Sequence, residues 1–435
     1  MQGTVGHDSA AQAQKTTRSR SLEILGIFCG FTAGAWLGAA EAPTKLVTLG
    51  ISPMVISLIM VVGVFLARWS LPALVMGTSS VRADVGRSPH LVLWALLAGC
   101  LWAVANTLTI FAIRDIGLSI AFPLWNSNSL LGILWGFLFF NELRQAGWRR
   151  WMGVVGGAVV MCLGAAVLAT ASAAQAPASA HPLNGVWAAL GAGVLWGTMY
   201  IPYRKAYLTG MNPLAFVTFF TFGELGMMAT LAIGYTGLGP LWKELLNARG
   251  VMFWLMLGGF IWVIGDLFQQ YAAKYVGISR GIPLSNTNQL WGLLWGVLVF
   301  GELQGKGSGT YVEVVGGSLL MMLGVGAIAL SSATGAEQTR WREAAKRESL
   351  RYGVDADYVE ARLDGRQAAS EARPRRGTLD WLLVAVATSI LVGFAPIARV
   401  PEFSFRWGPA AVLTVVTLLL LLVCGQRLWR TTRFH

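Results

Sequence analysis

Two apolar stretches of this chain repeat one another, residue by residue, at a constant offset. Few folds are open to a chain built that way. Trp102 falls on Trp262, Gly117 on Gly277, Ser119 on Ser279 and Pro123-Leu124 on Pro283-Leu284. Asn126 and Asn128 fall on Asn286 and Asn288, Leu134-Trp135-Gly136 on Leu294-Trp295-Gly296, and Glu142-Leu143 on Glu302-Leu303. The register also pairs Trp36 with Trp196, Lys45 with Lys205, Gly50 with Gly210, Pro53 with Pro213 and Gly156-Gly157 with Gly316-Gly317. Internal duplication in an apolar chain is the sequence mark of a transporter with its site between the copies.

The medium follows from composition. The chain is 55% hydrophobic and 12% charged, about half the charge of an ordinary soluble protein. Apolar runs of about 20 residues recur, each long enough for about 30 Å of hydrocarbon. An all-α, multi-pass membrane protein is expected, with spans at 22–42, 52–76, 91–113, 119–141 and 150–171 in the first repeat. The second repeat gives 183–203, 212–236, 251–274, 279–301 and 310–332. An extra hairpin follows at 380–398 and 408–427. The chain therefore divides into a cytoplasmic tail (1–21), a first five-helix repeat (22–171), an extracytoplasmic linker (172–182) and a second repeat (183–332). A charged cytoplasmic segment (333–379), the hairpin (380–427) and a cytoplasmic tail (428–435) complete it. The first run, ending at Ala40-Glu41-Ala42, has the outline of a cleavable signal. The Trp36/Trp196 match makes it an integral span instead.

Five spans per repeat is an odd number, so the second copy enters from the opposite side. Most of the 33 Lys and Arg residues, among them Arg68, Arg144, Arg149, Arg150, Arg204 and Lys205, fall on the side of the N-terminus. By the positive-inside rule both termini are cytoplasmic, in a cell membrane. The net charge of +12 lies where that rule puts it, and no nucleic-acid partner is implied. Cys29, Cys100, Cys162 and Cys424 lie singly within apolar runs, so neither disulfides nor a metal centre is suggested. His7, His90, His181 and His435 stand apart from any Cys or carboxylate cluster, and no phosphate-loop motif occurs. The chain reads as neither an enzyme nor a cofactor protein.

The segments Gly-x-x-Trp-x-x-x-Asn/Asp, Gly-x-Ser-x-x-x-Pro-Leu, Asn-x-Asn-Ser/Gln-Leu and Asn/Gly-Glu-Leu resemble the glucose/ribose porter family of the drug/metabolite transporter superfamily, a group related to the rhamnose–proton symporter. The resemblance covers 22–332 and is strongest in 99–143 and 258–303. It implies ten helices in two inverted repeats, a central cavity among spans 1–4 and 6–9, and sugar uptake driven by an ion gradient, most simply of protons. Two departures are Trp125 against Ser285 and Thr109-Ile110 against Gln269-Gln270. Residues 334–435 have no counterpart in the ten-helix pattern.

Candidate residues follow from matched positions. Pro123 and Pro283 interrupt spans 4 and 9 at one register, and such breaks in a membrane mark binding sites. Asn126, Asn128, Asn286 and Asn288 follow, with Gln289 beside them. Carboxamides offer both donors and acceptors to sugar hydroxyls; as interhelical glue they contribute about 0.6 kcal/mol each. Asn106, Gln269 and Gln270 extend the polar set, and Trp36, Trp196, Trp102 and Trp262 offer aromatic faces. Asp266, in mid-span where the first copy has Asn106, is the candidate proton site, unless it is permanently paired with Lys274 or Arg204. Glu224, opposite Val64 in the first copy, is a second candidate. Glu41, Glu142 and Glu302 read as interfacial. Gly153-x-x-x-Gly157 permits close helix approach, within the bundle or in a homodimer. The charged segment reads as a solvated linker or helix. Two other functions remain open: a drug or metabolite exporter on the same scaffold, and a membrane sensor or scaffold protein.

Overall fold

The computed structural model describes residues 3–40, 50–116, 121, 124–144, 146–173, 182–301, 304–305, 307–331, 335–367, 376–399 and 406–434. All regular structure among them is helical. This is the form in which an apolar chain satisfies its own backbone away from water. The first half holds α1 (Gly3–Ala40), α2 (Pro53–Val75), the short α3 (Thr78–Arg87), α4 (His90–Ile116) and α5 (Asn128–Phe140). It closes with α6 (Gly157–Ala173), entered through Trp148–Trp151 and a π-helical turn, Met152–Gly156. The second half holds α7 (Pro182–Leu208), α8 (Pro213–Thr236), the short α9 (Leu238–Asn247), α10 (Met252–Val276), α11 (Ile278–Ser285), α12 (Asn288–Leu294) and α13 (Ser308–Leu330). Then come α14 (Gly335–Tyr352), α15 (Ala356–Leu363), α16 (Thr378–Phe394) and α17 (Trp407–Thr432).

Nine helical stretches among the described residues are long and apolar enough to cross a membrane, and the chain is a multi-pass membrane protein. Twelve spans were expected. The difference lies in α7, a 27-residue helix with Arg204 and Lys205 near its end, in span 4, whose described helix is only Asn128–Phe140, and in span 9, which is broken into shorter helices.

Helix pairing follows the repeat. α1 packs on α10 as α7 packs on α4, and α2 on α10 as α8 on α4. α2 and α8 also pack on each other, as do α6 and α13. Glycine sets how close these pairs come. A Cβ on Gly63 would collide with the Met256 carbonyl, and one on Gly223, its repeat partner, with that of Leu96. Gly259 lies in the same way against Met60, and Gly99 against Phe220. Small residues let backbones meet where lipid supplies no hydrophobic drive between helices. Gly157 is used within the chain, against Gly324 of α13.

The structure corrects the reading of the charged segment. α14 and α15 are not a solvated linker: Glu337, Tyr358, Val359 and Arg362 are buried. They lie against the bundle end formed by the 76–90 and 141–150 connections and by α7. Burial holds the Glu337 carboxyl above the usual carboxylate range, against the pull of Arg150 and the Leu143 N–H. The hairpin helices are peripheral, α16 on α2 and α17 on α1.

The glycine contacts give a stability test. Gly259→Val is expected to cost on the order of 1–3 kcal/mol through overpacking and to lower the melting temperature of the detergent-solubilised protein. Gly226→Val, with open space at its Cβ, should leave melting unchanged. Equal melting of the two variants would contradict the packing described.

Candidate functional site

The two broken spans build the centre of the molecule. In span 9, Pro283 sits inside α11 and the chain stays helical to Ser285. The interruption comes at Asn286-Thr287, not at the proline. The ladder there shifts to shorter bonds, Thr287 N donating to Leu284 O at 3.5 Å and Leu290 N to Thr287 O at 3.0 Å. Span 4 breaks at the matching place, Asn126-Ser127. Ser127 N donates to Leu124 O at 3.3 Å and Ser129 N to Asn126 O at 3.1 Å. A proline removes one donor and weakens the ladder, and the turn forms just after it, where the asparagines stand. Pro123 lies outside the described residues, as do Gly117, Ser119, Glu41 and Glu302.

The breaks face each other. Asn286 Nδ2 donates to Asn128 Oδ1 at 2.8 Å and to Ser129 Oγ at 2.6 Å. Beside them lies a cavity of about 40 Å³, lined by Asn126, Asn128, Asn286, Asn288, Gln269, Trp102, Trp196 and Trp262, with Leu37, Trp125, Met199 and Tyr200. Trp102 and Trp262 meet edge to face at 4.9 Å, Trp125 and Trp196 at 6.1 Å. Gln269 Nε2 donates to Ser285 Oγ at 2.6 Å. Trp102 Nε1, Trp196 Nε1, Asn126 Nδ2 and Asn288 Oδ1 are buried with no hydrogen-bond partner among the described residues. Buried polar atoms of that kind are uncommon and call for an explanation.

Not every candidate reaches the cavity. Trp36 turns to the hairpin, its Nε1 donating to Thr417 O of α17 at 3.2 Å, and Leu37 takes its place in the wall. Asn106 and Gln289 are not among the lining residues. Gln270 faces away, toward Asp266, donating from Nε2 at 2.7 Å and accepting from the Tyr207 hydroxyl.

Asp266 is paired, but with neither Lys274 nor Arg204. Its partner is Arg68 of α2, which the charge count places on the side of the N-terminus. Arg68 Nη2 lies 2.8 Å from Asp266 Oδ2 and its Nη1 3.0 Å from Glu224 Oε2, with all three side chains fully buried. The guanidinium also stacks 4.0 Å from the Phe220 ring and 5.5 Å from that of Trp262, a cavity wall. The triad therefore abuts the cavity through Trp262, and α10 serves both, Gln269 toward the cavity and Gln270 toward the triad. A usable signal for Arg68 was present. Its repeat partner is Met228, so it breaks the symmetry as Glu224 does against Val64.

Glu142 is likewise not interfacial. It is fully buried and caps the start of α11, accepting from Ser279 N at 3.0 Å and Ile278 N at 3.3 Å, with Arg204 Nε at 3.1 Å. A carboxylate there meets the positive end of the helix. Gly277, at φ +84°, leaves room for it.

The family model for sugar transport protein matches residues 189–354. The chain is a sequence relative of the sugar uptake proteins. The glucose uptake protein GlcU of Staphylococcus xylosus is 24% identical over 218 residues, 50% of this chain and 70% of that protein. A protein of Streptococcus pyogenes serotype M1, provisionally named a sugar uptake protein, is 25% identical over 220 residues, 50% and 72% of the two chains. One of Lactiplantibacillus plantarum, with the same provisional name, is 40% identical over 91 residues, 20% of this chain and 30% of its own. The family match runs past 332 and through α14, further than the repeat pattern alone.

Breaking the triad from one side tests its weight. Arg68→Gln leaves two carboxylates buried without a cation and should cost about 3–5 kcal/mol, read as lost melting temperature in detergent. Adding Glu224→Gln and Asp266→Asn should recover most of it. A triple variant no more stable than Arg68→Gln alone would refute the pairing.

Proposed function

We propose that this protein is a secondary transporter for sugars, binding its substrate in the cavity between the broken spans. The observation that carries the reading is the chemistry of that cavity. Carboxamides from both repeats, and indole N–H groups with no partner among the described residues, line a space walled by tryptophan rings. Hydroxyl groups suit the first two and sugar C–H faces suit the last. The names of the sequence relatives point the same way.

The cavity is smaller than a sugar. A cavity of about 150 Å³ accepts benzene, and a hexose needs at least as much. Binding therefore requires the walls to part, as alternating access requires. The matched helix pairings support two five-helix repeats of inverted topology rocking about the breaks. The charged bundle end, where α14 and α15 lie, is assigned to the cytoplasm by the positive-inside rule.

Coupling is assigned to the triad. Two carboxylates and one guanidinium, fully buried, leave one negative charge uncompensated, and a proton neutralises it at either Asp266 or Glu224. Arg68 comes from the first repeat and both carboxylates from the second. Taking up or releasing that proton changes what holds the repeats together.

The test is uptake of a labelled sugar panel into proteoliposomes. Accumulation is expected under an inward proton gradient and should collapse when the gradient is removed. Absence of gradient-driven accumulation for every sugar would overturn the reading. Asp266→Asn should abolish accumulation while leaving sugar exchange. Asn286→Ala, which removes one to two hydrogen bonds, should raise the half-saturating concentration about tenfold. Unchanged saturation would remove the asparagine pair from the site.

A further inference from the structure

A second cavity lies at the charged end of the bundle. It measures about 70 Å³, and its core walls include Arg204 of α7, Lys274 of α10 and Arg280 of α11. Trp341 and Arg342 of α14 and Leu363 of α15 complete its lining. The chain's own later segment thus lies against the place where α7 and α10 end and α11 begins.

That segment is fastened to both halves. On the first half, Glu337 Oε1 accepts from Arg150 Nη2 at 2.9 Å and from Leu143 N at 3.3 Å. Asp84 accepts from the Tyr358 hydroxyl and from Arg362 Nη2, both at 3.0 Å. His90 stacks on Tyr352 at 3.7 Å. On the second half, Lys205 Nζ lies 3.6 Å from Glu348, and the Arg204 guanidinium sits 4.8 Å from the Trp341 ring. Ties to both halves across one opening resist any motion that separates the halves there.

We propose that α14 and α15 form a cytoplasmic lid, which must detach before the second cavity opens to the cytoplasm and which limits the rate of transport. The inference rests on the alternating-access reading above. Its attachment combines discrete polar contacts with the burial of a few apolar side chains, Ala345, Val354 and Val359 among them, on a short segment; such local units can open below the global unfolding free energy.

The test uses the full chain with Cys29, Cys100, Cys162 and Cys424 replaced and a reporter, Leu208→Cys, in the cavity wall. A membrane-impermeant maleimide is applied to the cytoplasmic side of vesicles. Labelling is expected to be slow in this parent and several-fold faster once Tyr358→Phe and Arg362→Gln cut the tie to Asp84. Equal labelling rates in folded protein would overturn the lid. A second arm joins His90→Cys to Tyr352→Cys by a reversible disulfide, without the reporter. The oxidised protein should lose net sugar transport and regain it on reduction. Full transport in the oxidised form would also overturn the lid. Protein that transports no sugar in either redox state would count against the transport reading alone, and the labelling rates would still decide the lid.

Discussion

One guanidinium holds the middle of this molecule together. Arg68 on α2 reaches Glu224 on α8 and Asp266 on α10, and none of the three side chains meets solvent. Bringing three charges out of water is costly, and only short, directed contacts offset that cost. Those contacts exist because the three helices approach closely. Gly63 and Gly259 bring α2 and α10 together, and Gly99 and Gly223 do the same for α4 and α8. The ring of Phe220 then lies over the guanidinium. The close helix crossings and the buried charges are one device: the glycines allow the reach, and the charges fix which faces meet.

The repeat made much of this legible. A residue pair preserved at a fixed offset reports a position that both halves use, so the paired asparagines and tryptophans could be placed near the centre from sequence. Most of them do meet in one cavity. Trp36 did not follow its partner Trp196, because the added helix α17 offers its indole a carbonyl that no first-principles pattern contains. Arg68 was misread for a related reason. Counting cations by side assumes that each arginine reaches water, and this one, inside a span, finds two carboxylates first. Glu142 was misread because a carboxylate beside arginines looks interfacial until the chain folds Ser279 and Ile278 onto it. The charged segment, with alternating signs and no apolar run, carried no signal of what it would pack against. Its partners are single residues scattered over distant parts of the chain.

Broken symmetry locates the chemistry better than the symmetry does. Positions shared by both halves supply the crossings and the cavity walls. Positions that differ, Arg68 against Met228, Glu224 against Val64 and Asp266 against Asn106, collect in one place. A two-fold arrangement of such charges would place two triads in the same bundle and double the desolvation cost. A single triad gives one buried site to protonate, shared by both halves, and that is what the proposed coupling needs.

The cavity between the broken spans is small, and its walls are tied to the triad. Trp262 lies 5.5 Å from the guanidinium and also lines the cavity. Widening the cavity moves this ring or the helix that carries it, and either motion alters the packing around Arg68. Under the proposed function, substrate space and charge pairing are therefore not independent. Filling the first strains the second, and under the proposed mechanism a proton on Asp266 or Glu224 relaxes that strain. The rigid α10 carries Trp262, Asp266 and Gln269 within two helical turns. The proposed coupling then needs no long pathway, since one helix carries residues of both the cavity and the triad.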